Sequence, residues 1–426
     1  MIHSGIIIII DFGSQYTQLI ARRIREFNVY SEIYPHTIDI PKIKNINPQG
    51  IVLSGGPMSV NEKDSPDVDE KIFNLGIPVL GICYGMQLIC SKLHGNVESA
   101  KNREYGKAEL KVLLNSDLFQ EVNKNSVVWM SHGDIITNPP EDFKITSETD
   151  SSPISSISDT SKNIFGLQFH PEVAHTQEGK KILSNFVFNV CKCSANWTPQ
   201  NFIMSSITDT RNEVGSSKVI CALSGGVDSS VAAVLISKSI GDNLTCIHID
   251  TGLMRKNESE LVIKMFKENY ELNLKHVDAS GRFLTKLKGV SDPEKKREII
   301  GNTFIEIFEE ESILIGNADY LVQGTLYPDV IESIPVKGES VTIKTHHNVG
   351  GLPKKMKLKL IEPFRELFKD EVRVIGKELG LSEEFTSRHP FPGPGFAVRI
   401  LDEVTEERLD LLREADDIFI NEIRNA

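Results

Sequence analysis

Pro78-Val79-Leu80-Gly81-Ile82-Cys83-Tyr84-Gly85-Met86-Gln87-Leu88-Ile89 decides the fold of the first half of this chain. Residues 78–82 are a short apolar run, the signature of a buried parallel strand. Cys83 follows without a loop, and the pattern over 85–93 predicts a helix. A strand that turns sharply into a helix lifts the turn residue above the sheet. It also places it at a helix N-terminus, which favours thiolate over thiol. Gly81 and Gly85 flank the turn where a side chain would obstruct it.

The same alternation continues on both sides of this turn. Ile6-Ile7-Ile8-Ile9-Ile10 reads as another buried strand, leading into Asp11-Phe12-Gly13-Ser14 and a helix to about Glu26. Residues 50–53 lead into Ser54-Gly55-Gly56-Pro57. Such alternation predicts an α/β fold with a mainly parallel, doubly wound sheet, whose ligands sit at the C-terminal strand ends. Cys83 and Gly55-Gly56 fall at such ends. Between about 105 and 169 the pattern changes to shorter alternating segments, as in an antiparallel addition. The serine-rich 151–161 reads as an exposed hairpin or loop. Residues 165–169 read as a strand leading to His170-Pro171-Glu172, with a helix over 177–190.

The helical pattern stops in 191–199, and Pro199 suits a first helical turn. A second α/β unit follows: strand 218–223, loop 224–228, helix 229–238, and strand 244–249 ending in Asp250-Thr251-Gly252. Three prolines in His389-Pro390-Phe391-Pro392-Gly393-Pro394-Gly395 mark a further boundary, because they continue neither a helix nor a central strand. The 31 residues after it are too few for their own core. The expected organisation is two doubly wound domains, 1–192 and 200–389, a linker 193–199, and a C-terminal segment 390–426.

Composition narrows the function classes. With 40% hydrophobic and 25% charged residues the chain is ordinary for a soluble protein. A net charge of −12 argues against sequence-independent nucleic-acid binding, which needs a basic surface. No run approaches the roughly 18–20 apolar residues of a membrane span. The isoleucine run is too short for a signal peptide, and no Lys or Arg precedes it. Six cysteines (83, 90, 191, 193, 221, 246) do not make a disulfide framework at this length. The expected setting is the reducing cytoplasm, where a free thiol survives.

Cys83 is the candidate nucleophile. The backbone N–H groups of Tyr84 and Gly56 are the candidate oxyanion hole. His170 is the candidate base, with Glu172 two residues on to orient its imidazole. Here a resemblance becomes specific: residues 1–192 resemble a class I glutamine amidotransferase domain, with its Gly-x-Cys-x-Gly-x-Gln elbow and later His-Pro-Glu. The resemblance implies that Cys83 attacks the side-chain amide of glutamine and forms a glutamyl thioester. Ammonia leaves, and water activated by His170 releases glutamate. It also implies that Gln87 and Ser131-His132-Gly133-Asp134 help to hold the glutamine.

The second unit carries Ser224-Gly225-Gly226-Val227-Asp228-Ser229-Ser230 between a strand and a helix. Backbone N–H groups and hydroxyls there face an anion at the positive end of a helix. The Gly-Lys-Ser/Thr ending of a Walker loop is missing, so γ-phosphate transfer is not indicated. Asp228 among those donors is suited to bring Mg²⁺ to the phosphates. The loop resembles that of N-type ATP pyrophosphatases, which cleave ATP between the α and β phosphates.

Three further stretches, 323–333, 344–353 and 389–395, are similar to the glutamine-hydrolysing GMP synthetase family, and the similarity runs through essentially the whole chain. It implies the reaction XMP + ATP + glutamine + water → GMP + AMP + pyrophosphate + glutamate, with the xanthine 2-oxygen adenylylated. Residues Ser224, Gly225, Gly226, Val227, Asp228, Ser229 and Ser230 would then hold pyrophosphate, and Asp250 to Leu253 would border adenosine. Arg282 is a candidate for XMP, although Gly281 stands where the family usually has an acidic residue. Lys344, His346 and His347 read either as a lid or as an exposed polar loop. Mg²⁺ with ATP is the implied cofactor, without a tightly bound organic group.

Family members dimerise through a C-terminal domain whose tail helps to bind XMP. Ala426 falls in what reads as the first amphipathic helix of that domain, 406–423, so the resemblance implies a truncated domain and about 100 further residues, the size of a small domain. Glutamine hydrolysis is therefore expected from the first domain by itself, and GMP formation from the longer protein. Rival readings are weaker. An NAD synthetase usually carries a nitrilase-type glutaminase with a Glu-Lys-Cys set, against His170-Pro171-Glu172. A tRNA-thiolating enzyme would want a basic face. A binding protein with a decayed site predicts a lost nucleophile or damaged loop, and both motifs are intact.

Overall fold

Ile7, Ile8, Ile9 and Ile10 are completely buried, because the strand they form is covered on both faces of its sheet. The computed structural model describes residues 5–270, 272–316, 318–333, 358–383, 391 and 393–425. Contacts divide the chain between Thr198 and Pro199 into two units.

Nine strands form the sheet of the first unit: β1 Ile6–Asp11, β2 Tyr30–Pro35, β3 Gly50–Leu53, β4 Val79–Ile82, β5 Asn96–Val112, β6 Asn125–Asn138, β7 Lys144–Glu148, β8 Ser156–Asp159 and β9 Ile164–Leu167. Their order is β2-β1-β3-β4-β9-β8-β7-β5-β6. The first five run parallel and the rest pair antiparallel. The antiparallel addition contains the two longest strands, β5 with 17 residues and β6 with 14, rather than the short segments the pattern suggested. The helix after His170 spans Gly179–Ser184 and continues as a π-helical turn, Asn185–Val190.

The serine-rich stretch, read as an exposed hairpin or loop, does enter an antiparallel pair with β9 but is largely buried. Ser156–Asp159 is β8, buried between β7 and β9, and Ser152, Ser155, Ser156 and Ser158 are buried. Ser156 Oγ lies 2.6 Å from Thr146 Oγ1 and 2.5 Å from Ser147 Oγ, and Ser155 donates to Ser152 O at 2.7 Å. Serines resemble a loop by composition, yet small side chains with hydroxyl partners can occupy a sheet interior.

The second sheet holds β10 Val219–Ala222, β11 Leu244–Asp250, β12 Leu274–Asp278, β13 Tyr320–Val322 and β14 Lys359–Ile361. All pairings are parallel, in the order β12-β11-β10-β13-β14. The chain therefore winds one way from β10 and the other way from β13. The crevice between them is the topological switch point, where such sheets bind ligands. Phe396, Ala397, Ile400, Val404 and Leu409, beyond the proline-rich boundary, pack into the same core as Ile220, Phe283 and Leu321. Among the described residues no helix is long and apolar enough to cross a membrane.

Candidate functional site

In the first unit, β4 ends at Ile82 and the helix Tyr84–Lys92 begins two residues later. Cys83 caps that helix at φ 53° and ψ −106°, a region that non-glycine residues enter only under strain and most often at functional sites. The strain is held from several sides. Cys83 N donates to Leu167 O of β9 at 2.7 Å, and Gly85 N to Ser54 O at 3.1 Å. A Cβ on Gly85 would lie 2.3 Å from Leu53 O, and one on Gly81 2.5 Å from the carbonyl carbon of Gly85. Both glycines therefore answer a close approach of backbones.

His170 follows β9 and is buried, as is Glu172. Its Nδ1 lies 2.7 Å from Glu172 Oε1, which leaves Nε2 as the ring nitrogen available to a substrate or to Cys83. Burial alone would push His170 down, but the Glu172 carboxylate and Cys83 outweigh it and hold the imidazole well above its usual range. The backbone of His170 is pinned as well: its N–H donates to Trp129 O at 3.0 Å, and its carbonyl accepts from Thr176 Oγ1 at 2.6 Å. The ring of Tyr16 stands edge-on to it at 5.2 Å. Arg23 Nε donates to Glu172 O at 3.0 Å.

Gly56, after β3, comes close to the elbow, for a Cβ on it would lie 3.2 Å from Tyr84 Cγ. Neither its amide nor that of Tyr84 donates to a described residue. Both amides therefore remain without a donor bond among the described residues.

The sequence-derived glutamine residues gather here in two ways. Ser131 O lies 3.5 Å from Cys83 Sγ. Gln87 and His132 are buried and spend their polar atoms on the scaffold. Gln87 Nε2 donates to Asp134 O at 3.1 Å and reaches Gln168 Oε1 at 3.4 Å. His132 lies between Asp134 O, 3.0 Å from Nδ1, and Glu104, 3.2 Å from Nε2. Burial pushes His132 down despite Glu104. Tyr16, Arg23, Glu104, Gln168 and Thr176 escaped the sequence reading. Of these only Gln168 carries a local hint, two residues before His170.

In the second unit, β10 runs through Leu223 into Ser224, and the helix Val227–Ile240 starts within the glycine-rich loop. Gly225 takes φ 79°, the left-handed conformation this turn requires. Ser224 Oγ and Ser229 Oγ lie 3.0 Å apart, and Gly226 N donates to Ser224 Oγ at 3.3 Å. Ser230 is buried and its hydroxyl has no described partner. Asp228, in the first helical turn, accepts from Lys369 Nζ at 3.0 Å through Oδ2, while its Oδ1 is buried without a partner among the described residues. Gly324, just after β13, approaches from across the switch point: a Cβ there would lie 3.2 Å from Asp228 Cβ. Among the described residues no group of three or more His, Cys, Asp or Glu could hold a metal.

Asp250 Oδ1 accepts from Gly252 N at 2.8 Å, closing the turn after β11, and Leu253 is buried behind it. Arg282 is engaged by Glu310 and Glu306, each at 2.8 Å, and this pairing raises its pKa further. The structure thus gives Arg282 two carboxylate partners on the helix Pro293–Leu314. Lys344, His346 and His347 lie outside the described residues.

Comparison with known proteins follows the same division. Residues 8–190 match the family Glutamine amidotransferase class-I, and residues 200–302 match the family NAD synthase. A glutamine-hydrolysing GMP synthase of Brachyspira hyodysenteriae is 56% identical over 99% of this chain and 82% of its own length. Those of Caldanaerobacter subterraneus and Bacillus cereus are also 56% identical, over 98% and 99% of this chain and 81% and 82% of theirs. The NAD synthase match covers residues 200–302 alone, whereas these relatives match nearly the whole chain. The chain belongs to the glutamine-hydrolysing GMP synthase family.

Proposed function

We propose that Cys83, His170 and Glu172 release ammonia from glutamine, and that the loop 224–230 holds the ATP with which this enzyme aminates XMP to GMP. The observation that carries the first half is the buried imidazole of His170, bonded to Glu172 at 2.7 Å through Nδ1 and raised well above its usual pKa by Glu172 and Cys83 against the cost of burial. Cys83 Sγ attacks the amide carbon and passes its proton to His170. The oxyanion meets the amides of Gly56 and Tyr84, and His170 protonates the departing ammonia. His170 then takes a proton from water, which opens the thioester to glutamate. Gln87 and His132 support glutamine binding indirectly, by fixing the segment that carries Ser131 and Asp134.

In the second unit we assign Ser224, Gly225, Gly226, Val227, Asp228, Ser229 and Ser230 to the pyrophosphate and Asp250 to Leu253 to the adenosine. The open, buried Oδ1 of Asp228 supports Mg²⁺ binding with ATP. Mg²⁺ would neutralise phosphate charge as the bond between α and β phosphates breaks. Arg282, Lys344, His346 and His347 are assigned to XMP and the lid by family pattern; for Arg282 this requires exchanging carboxylates for substrate. The domain limits 1–192, 200–389 and 390–426, a homodimer, a cytoplasmic setting and independence of nucleic acid complete the reading, the last supported by the charge of −12.

The test is release of AMP and pyrophosphate from ATP, with ammonia supplied directly and purine nucleotides offered in turn. Strict dependence on XMP is expected. Dependence on a different acceptor, such as a nicotinate dinucleotide, overturns the assignment.

A further inference from the structure

Lys296 is the one lysine among the described residues that is completely buried. It lies in the first turns of the helix Pro293–Leu314. Its Nζ donates to Ala397 O at 3.1 Å, Ile400 O at 2.7 Å and Asp402 O at 2.6 Å. Three acceptors saturate the three protons of an ammonium. The carbonyls belong to the turn Gly395–Val398 and the residues after it, where the last carbonyls of a short helix have no helical donors. A buried ammonium persists only with such a complete acceptor set, and its removal takes the donor from the buried carbonyls of Ala397 and Ile400 and from the part-buried one of Asp402.

The turn so held grips the strand end assigned above to ATP. Phe396 N donates to Leu253 O at 2.8 Å. Gly395 takes φ 62°, and a Cβ on it would lie 2.3 Å from Leu253 O, so the two backbones are in direct apposition. Leu253 N is already used locally, donating to Thr251 Oγ1 at 3.1 Å. Arg413, from the helix Glu406–Asn425, binds the carbonyls of Gly252 and Met254, leaving that of Leu253 to Phe396.

We propose that Lys296 is a positioning residue for ATP: its ammonium fixes the turn whose Phe396 amide holds Leu253 at the end of β11. The proposal rests on the reading that Asp250 to Leu253 border the nucleotide. Lys296 touches no substrate in this account and acts through backbone alone.

The experiment is steady-state pyrophosphate release by the full chain, with ammonia as nitrogen donor and XMP saturating. Lys296→Met is expected to raise KM for ATP about tenfold, equivalent to about 1.4 kcal/mol of binding, with kcat changed less than about twofold. KM for XMP and glutamine hydrolysis should stay unchanged. Gly395→Ala, which displaces the same contact from the other side, should raise KM for ATP with Lys296 intact. A lowered melting temperature with unchanged KM for ATP in Lys296→Met makes Lys296 merely structural and overturns the proposal. If that variant does not fold, an unchanged KM for ATP in Gly395→Ala overturns it equally. Leu253→Ala and Asp250→Asn separate the two levels. If neither moves KM for ATP, the nucleotide assignment itself fails. If they move it and Lys296→Met does not, only the brace fails.

Discussion

Nδ1 of His170 and Oε1 of Glu172 lie 2.7 Å apart, with both side chains buried. The two residues are separated only by Pro171, so a short stretch following β9 supplies both the imidazole and its orienting anion. Glu172→Gln keeps the shape and removes the charge. Glutamine-dependent turnover should fall by about 10²–10⁴-fold, the range for losing general-base support or its orienting carboxylate. GMP formation from supplied ammonia should be unchanged. Equal loss in both assays would place the defect outside glutamine chemistry.

The same pair predicts a pH signature. His170 is held well above its ordinary value, so the folded state binds this proton more tightly than the unfolded chain does. Its contribution is fully present below the unfolded value of about 6.5 and is lost as pH rises through the folded one. Both tryptophans, Trp129 and Trp197, lie in the first unit, so their fluorescence during urea unfolding isolates that unit. The stability gap between the native sequence and Glu172→Gln should narrow from pH 6.5 upward. A gap that widens with pH contradicts the assignment.

Gly85→Ala tests the elbow. Its Cβ would lie 2.3 Å from Leu53 O and 2.7 Å from Leu53 Cβ, and backbone cannot yield as a flexible side chain can. A cost of about 1–3 kcal/mol or more is expected, read as a lower tryptophan unfolding midpoint with loss of glutamine hydrolysis. Retention of full glutaminase activity would mean the elbow tolerates a displaced helix.

Asp228→Asn should reduce ammonia-fed pyrophosphate release by about a hundredfold or more, the scale of losing a charge-stabilising group at a reacting phosphate. It should shift the Mg²⁺ titration to higher concentration and leave glutamine hydrolysis alone. An unchanged Mg²⁺ requirement would remove Asp228 from metal binding.

Thiol chemistry separates Cys83 from its neighbour Cys90. Burial pushes Cys90 up to about 12, so at pH 8 about one molecule in ten thousand carries the thiolate. Iodoacetamide should alkylate Cys83 and abolish glutamine use, with Cys90 labelled only after unfolding. Mass mapping of labelled peptides reads the outcome directly, and early labelling of Cys90 would contradict its burial.

The parts of the sites legible in sequence are those carried by contiguous residues. Gly81-Ile82-Cys83-Tyr84-Gly85 contains the strand end, the strained position, the glycines that admit neighbouring backbones and the helix start. The loop from Ser224 to Ser230 is similarly complete. The serine-rich stretch reads as exposed because its composition matches a surface loop. Its burial depends on Thr146 and Ser147 supplying hydroxyl partners from the adjacent β7.

The sequence by itself determined two α/β units, the strand-to-helix turn that carries Cys83, and a glycine-rich loop without a Walker lysine, because each follows from local periodicity and backbone requirements. Only the tertiary structure decided what surrounds them. Glu104 reaches His132 across 28 positions, Lys369 reaches Asp228 across 141, and Lys296 reaches Ile400 across 104. Such partners leave no periodic trace, since one charge or amide far along the chain looks like any surface residue until the parallel strands bring their ends together. The folding of β10 beside β13, and of β9 beside β4, turns separate motifs into sites.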